Sequence, residues 1–214
     1  MRIGLMNNGQ ACVAQTRILV PAARHDEFLD ALASMVESLV VGDPADPATE
    51  IGPLVARRQQ ERVRSYIEDG RREGARLVIG GSDPPAGFGC GWYVRPTLFD
   101  GVDNRMKIAR EEIFGPVLTL IPYRDDDEAV RIANDSDYGL SGSVWTADGA
   151  RGLAVARRVR SGSFGVNQPY SMDPAAPFGG VKASGIGREL GREGLEAYVD
   201  LKAISGVAAA SQVE

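Results

Sequence analysis

The residue best suited to covalent chemistry in this sequence is a cysteine near its start. Cys12 lies in the polar, glycine-bearing stretch Asn7–Arg17, which is predicted to be a turn that leads into a strand. A turn supported by a strand can expose a nucleophile and hold it rigidly. A buried structural thiol is the alternative, since free cysteines are most often small buried hydrophobic residues. Cys90 lies in a glycine-rich loop without such support, and we interpret it as a structural or incidental thiol.

The histidine and cysteine counts exclude several other chemistries. His25 is the one histidine among 214 residues, and we expect it to be solvated at the start of an amphipathic helix. A Cys–His protease arrangement is therefore disfavoured. Two cysteines without paired spacing provide neither a disulfide scaffold nor a zinc site, so no metal site is predicted.

Charge and hydropathy limit the partners and the location of the chain. A net charge of −5 disfavours nucleic acid as a partner. The sequence contains no secretory signal and no apolar run approaching the roughly eighteen residues of a membrane span. We therefore expect a cytoplasmic protein with no membrane partner.

A pair of carboxylates precedes a predicted buried strand. Glu111 and Glu112 stand just before Phe114 and the apolar run 117–121. A carboxylate there can accept hydrogen bonds from both hydroxyls of a ribose, and the neighbouring ring can face a planar heterocycle. A solvated turn is the alternative. The glycine-rich stretch 177–188 is a weak candidate for a phosphate cradle, because no strand precedes it and a third fingerprint glycine is missing.

The elements that must position these residues alternate between strands and helices. Apolar residues at helical spacing predict helices at 25–39 and 57–73, and acidic residues in a first turn mark a further helix near 125–133. Further helices are predicted at 150–159 and 189–198, and strands at 13–20, 77–79, 92–99, 117–121, 140–146, 163–167 and 201–207. This alternation indicates an α/β fold with a parallel sheet in one continuous unit.

Together these segments resemble the aldehyde dehydrogenase superfamily over about residues 4–206. The stretch 8–17 is similar to the family's cysteine active-site signature, which implies that Cys12 is the catalytic nucleophile. The stretch 111–116 is similar to the family's nicotinamide-binding segment, which implies that Glu112 binds the nicotinamide ribose and that Phe114 lies against the nicotinamide. Other similar stretches are Ile51–Leu54, Arg95–Thr97, Tyr138–Ser141 and Pro177–Gly185.

The resemblance implies an oxidoreductase that converts an aldehyde to a carboxylic acid with NAD or NADP. Cys12 as a thiolate would attack the aldehyde, hydride would pass to the cofactor, and water would hydrolyse the thioester. Phe178, Tyr170 and Met172 would line the substrate pocket and favour a medium-sized or aromatic tail. An acylating enzyme that passes the thioester to coenzyme A is an alternative.

The resemblance also sets expectations about domain organisation. Residues 1–207 correspond to the parallel-sheet catalytic domain without its first strand and helix, and without the N-terminal Rossmann-type cofactor domain. Residues 201–207 would form an oligomerisation strand, and 208–214 a flexible tail. The family's general base and oxyanion-hole asparagine do not appear, and their loss costs about 10⁴–10⁷-fold in rate if the two effects are independent.

We therefore expect this chain to be inactive alone and to work as a homo-oligomer or with a complementing N-terminal chain. A non-catalytic oligomerisation or interaction fragment is the alternative. A truncated gene product, a naturally split enzyme and a fragment made for study are all compatible with the sequence.

Overall fold

The computed structural model describes residues 2–170 and 172–206, and this part of the chain contains six strands and six α-helices. The strands are β1 (Arg17–Pro21), β2 (Arg76–Ile79), β3 (Thr97–Asp100), β4 (Val117–Tyr123), β5 (Ser141–Val144) and β6 (Ser163–Val166). The helices are α1 (His25–Glu37), α2 (Arg57–Arg72), α3 (Lys107–Arg110), α4 (Asp126–Asn134), α5 (Gly149–Arg158) and α6 (Gly191–Glu196). Short 3₁₀ segments occur at Ala22–Arg24 and Lys182–Ser184, and also within Arg2–Gly9, where the backbone is non-helical at residues 6–8.

The strands form two sheets. The larger has the order β1-β4-β3-β2, and the smaller pairs β5 with β6 in parallel. Strands β1, β4 and β3 run parallel, whereas β2 runs antiparallel to β3. The α/β class is confirmed, but the expectation of a purely parallel sheet is wrong at β2. The segment 80–96 contains no helix that could carry the chain across the sheet, so β3 returns in the opposite direction.

The hydrophobic core lies on both faces of the larger sheet. Along β4, Leu118 and Leu120 pack in the cluster that includes α1, whereas Val117 and Ile121 pack in the cluster that includes α2 and α3. This division follows from the alternation of side chains along a strand. Both faces of β4 are therefore buried, as expected for a strand in the interior of an α/β sheet.

Three predicted strands differ from the structure. Residues 13–16 form a turn and loop before β1. The strand predicted at 92–99 begins only at Thr97, after Pro96, which lacks the N–H that a strand ladder requires. Residues 201–206 carry no strand, and Leu201 and Ile204 are exposed. Residue 207 and the tail predicted at 208–214 lie outside the described residues, and the oligomerisation role of 201–207 stays a prediction.

None of the helices in the described part of the chain is long and apolar enough to cross a membrane.

Candidate functional site

The cysteine turn and the carboxylate segment lie at the same end of the larger sheet. Residues 7–16 lead into β1, and residues 111–116 lead into β4. These two strands are parallel neighbours, with Arg17 opposite Thr119. Segments that enter adjacent parallel strands meet at one edge of the sheet, so the topology brings these two segments together.

A contact between two glycines joins the segments directly. A Cβ atom on Gly9 would lie 2.1 Å from the carbonyl oxygen of Gly115, so only a glycine allows this approach. Gly9 also has a φ of +72°, in the left-handed region that glycine adopts without strain. Cys12 is three residues beyond Gly9, and Phe114 directly precedes Gly115.

The chain before Cys12 follows an unusual backbone path. Asn7 and Asn8 have φ values of +50° and +59°, and Gly9 continues in the same left-handed region. Asparagine tolerates this region better than most residues. The Asn8 side chain fixes the path by accepting a hydrogen bond from the Gly52 backbone N–H at 2.8 Å and donating one to the Pro53 carbonyl at 3.1 Å.

Cys12 lies at the second position of a turn that the Ala14 N–H closes by donating to the Ala11 carbonyl at 2.9 Å. Its side chain is exposed, which contradicts the alternative of a buried structural thiol. Cys90 is exposed as well, so the structure does not support a buried role for either thiol. Exposure alone does not distinguish the two cysteines.

Strand β5 holds the chain just after Cys12. The Ser141 hydroxyl donates to the Val13 carbonyl at 3.2 Å, and the Ser143 hydroxyl donates to Gln15 Oε1 at 2.6 Å. Both serines lie on one face of β5, because residues two apart in a strand point the same way. The cysteine turn is therefore bound to the smaller sheet by side chains.

Helix α2 holds the segment that carries Glu112 and Phe114. Gln59 Nε2 donates to the carbonyls of Ile113 and Phe114, at 3.2 and 2.6 Å, and the Arg62 guanidinium donates to the Glu112 carbonyl. Gln59 and Arg62 are three residues apart, so they lie on the same face of the helix. Phe114 has a φ of +58°, which is rare for a residue with a large side chain.

The two carboxylates of this segment differ in their surroundings. Glu111 Oε2 accepts a hydrogen bond from the Tyr66 hydroxyl at 2.6 Å. Burial and this hydrogen bond raise the pKa of Tyr66 to about 12. The Arg62 guanidinium and the Lys107 ammonium lie 4.9 and 4.8 Å from the centre of the Tyr66 ring. Glu112 is exposed, and its carboxylate has no hydrogen-bond or ion-pair partner among residues 2–170 and 172–206. Glu111 is thus engaged within the fold, whereas Glu112 is free to bind a ligand.

Two of the three residues predicted to line a substrate pocket are paired. The rings of Tyr170 and Phe178 lie 6.3 Å apart at an angle of 47°. Phe178 is held by two backbone hydrogen bonds of 2.7 Å with Glu189. Met172 is 59% exposed. In the described part of the chain, no hydrogen bond or aromatic contact links these residues to Cys12.

Two cationic side chains from the stretches that resemble the family donate to backbone carbonyls of the fold. Arg17 donates from its guanidinium to the carbonyls of residues 132–133, at 3.1 and 3.0 Å. The Lys182 ammonium donates to the carbonyls of residues 134 and 136, both at 2.8 Å. Burial lowers the pKa of both side chains. Residues 132–134 form the end of α4 and residue 136 follows it, so Arg17 and Lys182 together hold the end of this helix and the chain just beyond it.

The surroundings of His25 were missed by sequence reasoning. Its Nε2 lies 2.6 Å from Asp100 Oδ1 and its Nδ1 lies 2.8 Å from Asp26 Oδ1, and only 22% of its side chain is exposed. The expectation of a solvated histidine is therefore wrong. The hydrogen bond to Asp100 is the main cause that raises the pKa of His25. Burial acts to raise the pKa of Asp100, but hydrogen bonds from His25 and Arg76 outweigh burial and lower it.

Comparison with known proteins decides the family. A model of the aldehyde dehydrogenase family matches residues 1–204. The chain belongs to the aldehyde dehydrogenase family. The resemblance drawn from the stretches 8–17 and 111–116 is confirmed, and by family this aldehyde dehydrogenase chain is an oxidoreductase.

Relatives of this aldehyde dehydrogenase chain are considerably longer. It is 52% identical over 200 residues to a geranial dehydrogenase from Castellaniella defragrans, which covers 94% of this chain and 41% of that protein. The chain spans about 40% of the length of the curated relatives it matches.

Solved aldehyde dehydrogenases share its fold. A crystal structure of Mycobacterium tuberculosis aldehyde dehydrogenase complexed with NAD+ matches with 53% identity and a TM-score of 0.88, over 91% of this chain and 40% of that one. A mutant of aldehyde dehydrogenase C from Pseudomonas syringae, complexed with NAD+ and octanal, matches with 47% identity and a TM-score of 0.92. That match covers 95% of this chain and 42% of the other.

Proposed function

We propose that this chain is the catalytic-domain portion of an NAD(P)-dependent aldehyde dehydrogenase, with Cys12 as its nucleophile. The observation that carries the proposal is the contact of Gly9 with Gly115, where a Cβ on Gly9 would lie 2.1 Å from the Gly115 carbonyl oxygen. This contact holds the stretch that leads to the exposed Cys12 thiol against the stretch that carries the exposed Glu112 carboxylate and the half-buried Phe114 ring.

The reaction proposed for Cys12 is acyl transfer through sulfur. Its thiolate attacks the aldehyde carbon, a C–S bond forms, and the carbonyl electron pair moves to oxygen, where the backbone N–H of Cys12 stabilises the oxyanion. When bound, the nicotinamide cofactor would supply the acceptor for the hydride that leaves the former aldehyde carbon as the oxyanion re-forms the C=O bond, which leaves a thioester on Cys12. Water then attacks the thioester carbon, the C–S bond breaks, and the carboxylic acid leaves as Cys12 regains its thiolate.

The residues of the carboxylate segment fit a nicotinamide nucleoside. The Tyr66 hydroxyl donates to Glu111 and not to Glu112. The Glu112 carboxylate therefore keeps its acceptor positions for ribose hydroxyls. The Phe114 ring is half-buried on a backbone that α2 fixes, so it can pack against a planar ring. We propose NAD as the cofactor, since the solved aldehyde dehydrogenases of M. tuberculosis and P. syringae were crystallised with NAD+, and NADP is the alternative.

We propose an apolar aldehyde of medium length as the substrate. The relatives support this class, because one is a geranial dehydrogenase and another holds octanal. The aromatic pair of Tyr170 and Phe178 and the exposed Met172 offer apolar surface of the kind that would contact such a tail.

We further propose that the 214-residue chain does not turn over aldehyde by itself. In residues 2–170 and 172–206, the Cys12 sulfur has no hydrogen bond with a side chain that could act as a base. A complementing chain or further copies of this one would complete the site. A purely structural role in oligomerisation is the second candidate, favoured by the strong exposure of Tyr198, Leu201 and Ile204.

Thiol labelling tests the proposal without requiring turnover. Cys12 and Cys90 are both exposed, so Cys90 is an internal control for alkylation by iodoacetamide, read by mass spectrometry. We expect Cys12 to react faster than Cys90 and octanal to slow the labelling of Cys12 alone, since a thiohemiacetal blocks its sulfur. The single-thiol variants Cys12→Ser and Cys90→Ser confirm the assignment of each label.

Two results would count against the proposed function. Equal labelling rates with no protection by octanal would favour the structural role. Octanal-dependent formation of NADH by the purified chain would instead contradict the claim that it needs completion.

A further inference from the structure

The segment after Cys12 crosses from one sheet to the other without strand pairing. Residues 10–16 have no strand assignment, and β1, which follows them, belongs to the larger sheet, whereas β5 belongs to the smaller. The Thr16 carbonyl accepts a hydrogen bond from the Thr119 N–H at 3.0 Å, so the segment is fixed to β4 at its far end. Nearer to Cys12, its contacts with β5 are the hydrogen bonds from Ser141 and Ser143.

The Ser143 hydroxyl is the middle member of a chain of hydrogen bonds. It accepts from the Trp145 indole N–H at 3.2 Å and donates to Gln15 Oε1 at 2.6 Å. A hydroxyl that accepts one bond and donates another has a defined orientation. Ser143 thereby determines where the Gln15 side chain lies.

Gln15 depends on this one contact. Its Nε2 is buried and has no hydrogen-bond partner among the described residues. Loss of the Ser143 hydroxyl would leave both polar atoms of the amide unpaired. A buried amide without partners is unfavourable, so the side chain would leave its position and release the adjoining backbone.

The Gln15 side chain lies close to Cys12 along the chain. Gln15 directly follows Ala14, whose N–H closes the turn that carries Cys12. We propose that Ser143 is a positioning residue that holds the Cys12 turn through the Gln15 amide. The consequence for chemistry, a thiol held in one orientation toward an aldehyde, rests on the proposed function.

The test compares Ser143→Ala with a matched control on the neighbouring strand. Ser163 lies on β6, and its buried hydroxyl has no partner in the described part of the chain, so Ser163→Ala removes the same atom without breaking a hydrogen bond. Ser143→Thr keeps the hydroxyl and suits a strand. All three variants are compared with the unmodified chain by amide hydrogen exchange and by octanal protection of Cys12.

We expect Ser143→Ala to speed exchange of the Ala14 amide roughly tenfold, as the loss of one hydrogen bond implies. The amides of β4 should exchange as before, which shows that the fold is kept. Octanal should protect Cys12 less well in this variant. Ser163→Ala and Ser143→Thr should match the unmodified chain in both measurements.

The outcomes separate this inference from the proposed function. Faster Ala14 exchange in Ser143→Ala, with no protection of Cys12 by octanal even in the unmodified chain, supports the positioning role and refutes the aldehyde chemistry. Protection of the unmodified chain that Ser143→Ala leaves unchanged, together with unchanged Ala14 exchange, overturns the positioning role alone. An equal effect of Ser163→Ala also overturns it.

Discussion

Substitution of Gly9 by alanine tests whether the glycine contact holds the two site segments together. An alanine at position 9 would destabilise the fold through both its backbone conformation and the steric overlap of its Cβ. The backbone φ is +72°, and a Cβ would lie 2.1 Å from the Gly115 carbonyl oxygen and 2.9 Å from the Pro116 nitrogen. Gly74 provides a matched control, because its φ is +96° and no atom lies within 4 Å of its virtual Cβ.

The expected magnitudes follow from these two costs. The left-handed conformation costs a residue with a Cβ about 1–2 kcal/mol, at both glycines. Overpacking adds about 1–3 kcal/mol, at Gly9 only, because both clashing atoms there belong to the backbone and cannot rotate away. We therefore expect Gly74→Ala to lower the free energy of unfolding by about 1–2 kcal/mol and Gly9→Ala by about 2–5 kcal/mol.

The assay is urea unfolding of both variants, followed by tryptophan fluorescence and read as the free energy of unfolding. Alkylation of Cys12 serves as a second measurement, since displacement of residues 114–116 should change the surroundings of the turn in Gly9→Ala and not in Gly74→Ala. If the two variants lose the same stability within about 0.5 kcal/mol, the steric overlap with Gly115 adds no destabilisation. That result would refute the claim that the glycine contact holds the two segments together.

Two further predictions concern the hydrogen bonds of His25 and of Lys182. Because the hydrogen bond to Asp100 raises the pKa of His25, the stabilisation from this pair is complete below about pH 6.5, the ordinary histidine pKa, and is lost as pH rises through the raised pKa. Urea unfolding near pH 5.5 and pH 8.5 should show this extra loss in the unmodified chain and not in His25→Gln, and identical pH dependence would contradict it. Lys182→Met removes the ammonium that donates to the Ser136 carbonyl, and it leaves the Asn134 carbonyl with the Ser136 N–H as its donor, so it should cost about 1–3 kcal/mol in the same assay. The exposed Lys202→Met should change stability by less than about 0.5 kcal/mol, and an equal loss in both lysine variants would argue against a stabilising role of the Lys182 hydrogen bonds.

Local patterns predicted the elements whose information is local. The apolar stripe predicted helix 25–39, and α1 is observed at His25–Glu37. The apolar run at 117–121 predicted β4, which extends to Tyr123. The direction of β2 was not predictable in this way, because a strand pattern specifies alternating faces and not the direction of the neighbouring strand.

The candidate site was predictable as separate segments but not as an assembly. The stretches around Cys12 and Glu112 were identified from their residue types, yet about a hundred residues separate them. Their contact depends on the pairing of β1 with β4 and on two glycines, each of which looks ordinary in its own stretch. His25 was misjudged for the same reason, since its partner Asp100 is 75 positions away. Non-local contacts of this kind have no signature in a local pattern.

Side chains of helix α2 hold the segment 112–114 by donating hydrogen bonds to the backbone carbonyls of that segment. This arrangement affects which substitutions the segment can accept. Every peptide unit presents a carbonyl whatever its side chain, so the grip of Gln59 and Arg62 does not depend on which residues occupy these positions. Under the proposed function, substitution of Glu112 or Phe114 would change the contacts with the cofactor and leave these hydrogen bonds to the main chain in place. Helix α2 would then hold the main chain of the segment while the side chains that face a ligand vary one at a time.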